Sequence, residues 1–515
     1  MRAIGRATSA AVALLALLVG TAAAPPAGAE PPRPRADHRG TGDPADAVNE
    51  AARILTAETE ESGPGHGGHH AELTLAMRDL FLARPELGFF DSVRADLLLA
   101  RPTDGERDTG GDGYQGESDR RCGRRICVHY ARRGVDAPSG DRWVGRTLRT
   151  LSAVWSYEVG TLGLRPPPSD GRKGGDGRFD VYLAELGARG LFGYCTPERR
   201  VPGERFAASG YCVLDDDFSR EQYGAAPRAS LRVTAAHEFF HAIQFGYDFR
   251  EDPWLLESTA TWIEERFADR ADDNRRYLRY GSVRRPGASL DHFSNNSYAH
   301  YGNWAFWEYL STRFGPGVVP RVWRRADARG TAPDDYSVEA LARVLRDHGG
   351  LRDVLASYAA TNLDPATRYA EGDRWPHAAV AARLRLAPGD DRTRSLEIDH
   401  LAAAHVVVRP TRDAPQRRAV LEISVAGPPR RTAPAALVTV RRRDGSVTRH
   451  PMTLGPRGDG RVRVPFGRAR VTSVVVTAVN ASRRYRCQRH TLFACAGTPV
   501  DQDQRFRISA RVSRS

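Results

Sequence analysis

The sequence predicts an α+β protein in three parts: a helical N-terminal region, a mixed central domain, and a C-terminal all-β, sandwich-like domain. Three observations carry this. Apolar residues recur at helical spacing through residues 230–267 and 304–314. From about residue 390 they give way to short β-branched runs separated by Gly/Asp turns. Between these patterns lie 515 residues, enough for several cores.

The first element is a leader. Arg2 and Arg6 precede an apolar run from Ala10 to Ala24, and Ala27-Gly28-Ala29 is a small-x-small cleavage site, so residues 1–29 read as a secretory signal peptide. The run is too short for a membrane span, no later stretch approaches one, and secretion to the extracellular space is the expected destination. The net charge of +13 raises nucleic acid as a partner. Composition excludes that class: Lys173 is the only lysine, and the arginines are scattered among acids without interleaved aromatics. A solvated basic surface is expected, and the sequence leaves oligomeric state open.

Residues 30–118 form the N-terminal region. Its start is rich in Pro, Gly and His, including His66, His69 and His70, which are expected to be incidental. Glu72 to Ala100 predicts two or three short helices broken at Pro85, and a Gly/Asp-rich linker follows. A helical segment and a linker ahead of a central domain suggest a pro-segment that blocks a site until removed.

The central domain is expected over 119–385. Ile126–Tyr130 and Phe179–Leu183 read as strands, and Val144–Tyr157, Val338–Leu345 and Leu351–Ala359 as helices. Six cysteines fall into near pairs, Cys122 with Cys127, Cys195 with Cys212, and Cys487 with Cys495, and three local disulfides are expected in an exported chain. Asp215, Asp216 and Asp217, together with Asp176 and Asp180, form an acidic set that could hold Ca2+, although their spacing is not that of the 12-residue calcium loop.

The stretch Thr234–Phe267 carries the chemistry. His237 and His241 stand four apart, so on a helix both imidazoles can reach one point, and Glu238 projects beside it. This H-E-x-x-H pattern is the helix-borne zinc site of metallopeptidases. Ser230 is the expected N-cap and Gly246 the expected end, with Ala236, Phe240 and Ile243 facing the core. Asp252 and Pro253 open a second helix whose buried stripe is Leu256, Ala260, Ile263 and Phe267. One zinc ion per chain needs a third protein donor. Glu257, sixteen residues beyond His241, is the first choice and Glu264 the reserve.

His-Glu-Phe-Phe-His followed by Trp254-Leu-Leu-Glu257-Ser resembles the gluzincin metallopeptidases, in particular the hyicolysin-like enzymes and exported bacterial metalloproteases similar to them. The resemblance implies a zincin-like metallopeptidase domain holding zinc through His237, His241 and Glu257. Two departures stand out. The spacing to Glu257 is shorter than in thermolysin-like enzymes, and Thr261 stands where many gluzincins place an acidic residue behind the ligands.

A third helix is expected from Trp304, Trp307, Leu310 and Phe314, closed by Gly315. Tyr298, His300 and Tyr301 precede it. Enzymes resembling this one supply a Tyr or His from such a place to steady the oxyanion, which makes Tyr301 the first choice and His300 the second. The C-terminal domain, 390–515, is read from His405–Val408, Leu421–Val425, Leu437–Val440, Arg461–Val464 and Val474–Ala478.

Together these features lead to a secreted zinc-dependent metalloendopeptidase acting on proteins or peptides, with Glu238 as general base. Two other classes stay open: an exported binding protein on a zincin scaffold, and a zinc hydrolase of a non-protein amide.

Overall fold

The protein is described here by a computed structural model covering residues 43–56, 73–104, 113–412, 414 and 419–513. The signal peptide, His66, His69, His70 and residues 105–112 of the linker lie outside the described residues. The observed class is α+β, with helices and several β-sheets. Among the described residues no helix is long and apolar enough to cross a membrane.

Three helices open the chain: α1 (Pro44–Thr56), α2 (Leu73–Ala83) and α3 (Phe89–Leu98). A five-stranded sheet follows, built from β1 (Ser118–Cys122), β2 (Ile126–Ala131), β3 (Phe179–Ala184), β4 (Gly193–Arg200) and β5 (Ala208–Asp215) in the order β1-β2-β3-β5-β4. β2, β3 and β5 run parallel, while β1 and β4 are antiparallel edges. Helix α4 (Asp141–Trp155) lies between β2 and β3 in the chain.

The sheet is covered on both faces, so its central strands are buried almost throughout rather than at alternate positions. Val181 and Leu183 of β3 face a core with Leu151 of α4. Tyr182 and Ala184, one residue out of step, face a second core with Val48 and Ile54 of α1 and Met77 and Leu80 of α2. The N-terminal helices are therefore one full layer of this fold.

After β5 come α5 (Arg220–Tyr223), α6 (Pro227–Asp248), α7 (Pro253–Ala268), α8 (Ala299–Gly302), α9 (Trp304–Phe314), α10 (Val318–Arg325), α11 (Ser337–Leu345) and α12 (Gly350–Thr361). Helix α6 differs from expectation at both ends. Pro227 begins it three residues before Ser230, because a first-turn proline loses no hydrogen bond, and the helix runs through Gly246 to Asp248. Gly246 is needed for packing, since a Cβ there would stand 2.8 Å from Pro168 Cδ. Nearly every side chain of α6 is buried, so it is a central helix rather than an amphipathic surface one. Helix α9 ends at Gly315 as expected, with φ 85°.

The C-terminal part has two sheets. β6 (Ala382–Leu386), β8 (Ala402–Pro410), β10 (Pro434–Arg442), β11 (Val447–Met452) and β13 (Val471–Asn480) form one, in the order β11-β10-β13-β8-β6. β7 (Asp391–Ile398), β9 (Val420–Ala426), β12 (Asp459–Pro465) and β16 (Gln504–Ser513) form the other, in the order β12-β9-β16-β7. Val406, Val438 and Val476 from the first meet Leu421, Ile423 and Ile508 from the second in one core. β6 precedes residue 390, so the β structure begins earlier than the composition shift suggests. A small pair, β14 (Tyr485–Arg486) with β15 (Thr498–Pro499), completes the chain.

All three expected disulfides are present, Cys122–Cys127, Cys195–Cys212 and Cys487–Cys495, and no cysteine among the described residues is free.

Candidate metal centre

Helices α6 and α7 pack side by side, joined through Phe249–Asp252, which brings Glu257 back to the middle of α6. Donor atoms of His237, His241 and Glu257 lie within 4.8 Å of one another. His237 Nε2 is 3.3 Å from Glu257 Oε2, and His241 Nε2 is 3.6 Å from Glu257 Oε1. Two ligands each about 2.1 Å from a tetrahedral ion stand roughly 3.4 Å apart, so these separations leave room for one metal ion. Glu257 is 1 % exposed, and its Oε1 has no hydrogen-bond partner. A buried carboxylate oxygen left without a donor is a place where a cation can sit.

The other ring nitrogens are occupied. Gln244 Nε2 donates to Leu256 O and Thr259 Oγ1, which orients its Oε1 toward His241 Nδ1 at 2.7 Å. His237 Nδ1 stands 2.6 Å from Glu264 Oε1. Both Nδ1 atoms therefore donate, leaving each Nε2 lone pair toward Glu257. Glu264 is thus placed as the carboxylate behind His237 rather than as a ligand. The acidic support missing at Thr261 comes one turn later; Thr261 itself donates to the Glu257 carbonyl oxygen.

The electrostatics describe a site crowded with ionisable groups. Burial opposes charge on Glu257, yet His241 and His237 hold its carboxyl below the usual range. Burial opposes the His237 imidazolium, while Glu257 and Glu264 raise it well above an ordinary histidine. Burial raises the Glu238 carboxyl, against the attraction of His237 and His241. Two imidazoles and one carboxylate, whose Oε1 is the unsatisfied oxygen, form a donor set that could hold a metal ion.

Glu238 is buried beside the triad, and its Oε2 accepts from Thr74 Oγ1 at 3.1 Å. Thr74 belongs to α2, and the same hydroxyl accepts from Cys195 N–H at 3.0 Å on edge strand β4. Tyr301 lines the cavity, its ring 6.2 Å from that of His237. His300 does not line it. Adjacent residues of a helix point about 100° apart, and His300 packs against Phe293, with centroids 4.4 Å apart.

The sequence reading missed Thr74, Asp273, Arg276 and Tyr277, all on the cavity wall. Tyr277 stacks on Tyr301 at 5.0 Å, and Arg276 donates to its hydroxyl at 2.7 Å. Gly302 permits this contact, because a Cβ there would stand 2.4 Å from Tyr277 O. No motif marks residues 273–279, a 3-10 segment between helices. The cavity holds about 80 Å³, far below the several hundred of a typical ligand pocket. Leu73 and Thr74 of α2 form part of its wall.

The acidic set is not assembled as expected. Asp176 pairs with Arg178, and Asp180 with Arg101 and His129. Asp215 and Asp216 instead join Glu185. Another group, Cys127, His129 and Asp180, lacks a thiolate because Cys127 is in a disulfide.

No protein-family model matches the chain, and no curated protein matches it. Among solved structures, the pre-peptidase C-terminal domain of a collagenase from Bacillus anthracis aligns at 8% identity, covering 26% of this chain and 97% of that one, with a TM-score of 0.16. A family GH115 4-O-methyl-α-glucuronidase with specificity for decorated arabinogalactans aligns at 10% identity over 56% of this chain and 38% of that one, with a TM-score of 0.14. At such TM-scores neither likeness bears on fold or function.

Proposed function

We propose that the chain is an extracellular zinc-dependent endopeptidase with a zincin-like domain, in which His237, His241 and Glu257 hold the ion and Glu238 is the general base. The observation that carries this reading is the convergence of three donors around the unpartnered Glu257 Oε1, with a second glutamate beside them. When bound, zinc supplies Lewis acidity, polarising a carbonyl and making water a source of hydroxide near neutrality.

The chain's own residues do the rest. Glu238 accepts the proton of the attacking water and delivers it to the leaving amine, and burial suits it to this by raising its carboxyl. Glu264 and Gln244 keep the two imidazoles in the ligating tautomer. Tyr301, buttressed by Tyr277, is the donor for the oxyanion. Thr74 of α2 holds Cys195 N–H of edge strand β4, so an extended peptide could add there as a strand only with α2 displaced.

The test is metal analysis with casein cleavage, with and without chelator, on the native chain and on Glu238→Gln. One zinc per chain, chelator-sensitive cleavage and a zinc-loaded variant that is at least ~10²-fold slower support the reading. Equal cleavage by Glu238→Gln would sink it.

A further inference from the structure

A second set of donors lies where β5 ends, and it is built around one carboxylate. Asp215 is fully buried and accepts backbone N–H bonds from Leu186 and Gly187 on one oxygen and from Asp217 and Phe218 on the other. These bonds tie the end of β5 to the segment that follows β3. Glu185, at the start of that segment, is oriented by Ala188 N–H and the Gln222 amide, both on its Oε1. Oxygens of Glu185, Asp215 and Asp216 come within 4.8 Å of one another.

Asp216 is what the protein itself leaves unexplained. It is 4 % exposed, and its Oδ1 has no hydrogen-bond partner. Asp136 stands behind, accepting from Glu185 N–H at 3.1 Å, and Asp217 is adjacent in the chain. Burial first, then Asp215, Asp217, Glu185 and Asp136, push the Asp216 carboxyl up to about 8. Arg189 offsets part of this at Asp136. A buried carboxylate with an unsatisfied oxygen among four others is costly unless it holds a proton or shares a cation with them. Every donor is oxygen, which selects a hard ion over zinc or copper, and several carboxylates with flexible geometry suit calcium better than magnesium.

We propose that Glu185 and Asp216, anchored by Asp215, form a calcium site distinct from the His237–His241–Glu257 centre. The bound ion would brace the segment running to Leu191 and Phe192, which wall the cavity beside Glu238. That segment is already tied to the cluster: Phe192 O accepts from Asp215 N–H at 3.1 Å, and Leu191 O from Tyr223 Oη at 2.6 Å.

The experiment uses the full chain and terbium as the probe. Tyr223 lies against Asp215 and is placed to sensitise its emission. The expected result is emission saturating at one ion per chain, displaced by millimolar calcium, and a melting temperature raised by about 2 °C at 10 mM calcium. Asp216→Asn should lower terbium affinity at least tenfold. Without calcium it should melt no lower than the native chain, because it removes one of several like charges. Glu185→Gln serves as the second variant should Asp216→Asn misfold. His241→Ala should retain the terbium signal, which separates this site from the zinc reading, and Asp176→Asn should retain it too. No calcium-displaceable emission in the native chain, or undiminished emission in both Asp216→Asn and Glu185→Gln, would overturn the proposal.

Discussion

His237 and His241 each commit Nδ1 to a protein acceptor, which decides the nitrogen that faces Glu257. Glu264 is therefore expected to matter without touching the ion. Glu264→Gln should weaken zinc affinity about 10–100-fold, measured by competition with a chromogenic chelator, while the far-ultraviolet spectrum is unchanged. His241→Ala should lose both metal and turnover. The pairing of His237 with His241 was legible because helical geometry forces positions four apart onto one face. Glu264 was read as a reserve ligand because sequence spacing gives its helix face but not the tilt of α7 against α6. Thr74 gave no signal at all, since it lies more than 160 residues from its partner and is an ordinary helix residue.

Helix α2 works on two sides at once. Leu75 enters the core beneath the sheet, Met77 and Leu80 enter the core above it, and Thr74 bridges Glu238 and β4. Leu73 and Thr74 thereby place the start of the helix on the wall of the cavity. Leu80→Ala should destabilise the chain by about 2–4 kcal/mol. If α2 is a cover, peptide turnover should rise as the helix loosens, even as the melting temperature falls. A parallel loss of both would mean that the helix only supports the fold. The helical region was readable from its leucines, but its place over the site was not, because apolar periodicity reports a buried face and not what buries it. The strands missed in the C-terminal part have a similar cause. β16 alternates buried and exposed positions cleanly, yet its arginines disguise the pattern as a charged loop.

Across the whole molecule, two buried carboxylates join the β sheets to the helical part. Asp291 accepts from Tyr485 Oη and Ala494 N–H and stands 2.7 Å from His400 Nε2, and Asp252 accepts from Cys495 N–H. Leu401, Ala403 and Val479 enter the central core, so the β part is docked rather than tethered. The join has a pH signature. Burial raises Asp248 to about 7 and Asp252 to about 6, and it raises Glu251 well above the usual range. Such groups bind more protons folded than unfolded, so stability falls as pH rises through these values. His400 acts in the same direction: burial lowers it, but Asp291 raises it further, so its contribution is complete below about pH 6.5 and lost above. Asp291 is lowered by His400 against burial and costs stability only below about pH 4. His405, held low by burial, adds stability as pH rises only up to about 6.5, so the melting temperature should decline from pH 6.5 to pH 8 at constant ionic strength, followed by calorimetry. A flat or rising profile would mean that these acids have other counter-charges.

The layering of α1–α3 on the sheet has a kinetic consequence. Arg101, 1 % exposed and paired with Asp170, Asp180 and Glu198, pins the end of that layer. Cutting the chain between Arg101 and Tyr114 would break one peptide bond and leave the apolar and ionic contacts intact. The product of such a nick would be a complex of two chains. On the proposed reading, with that layer covering the site, activity would stay low at high concentration and rise on dilution, with a lag set by how slowly the severed fragment lets go.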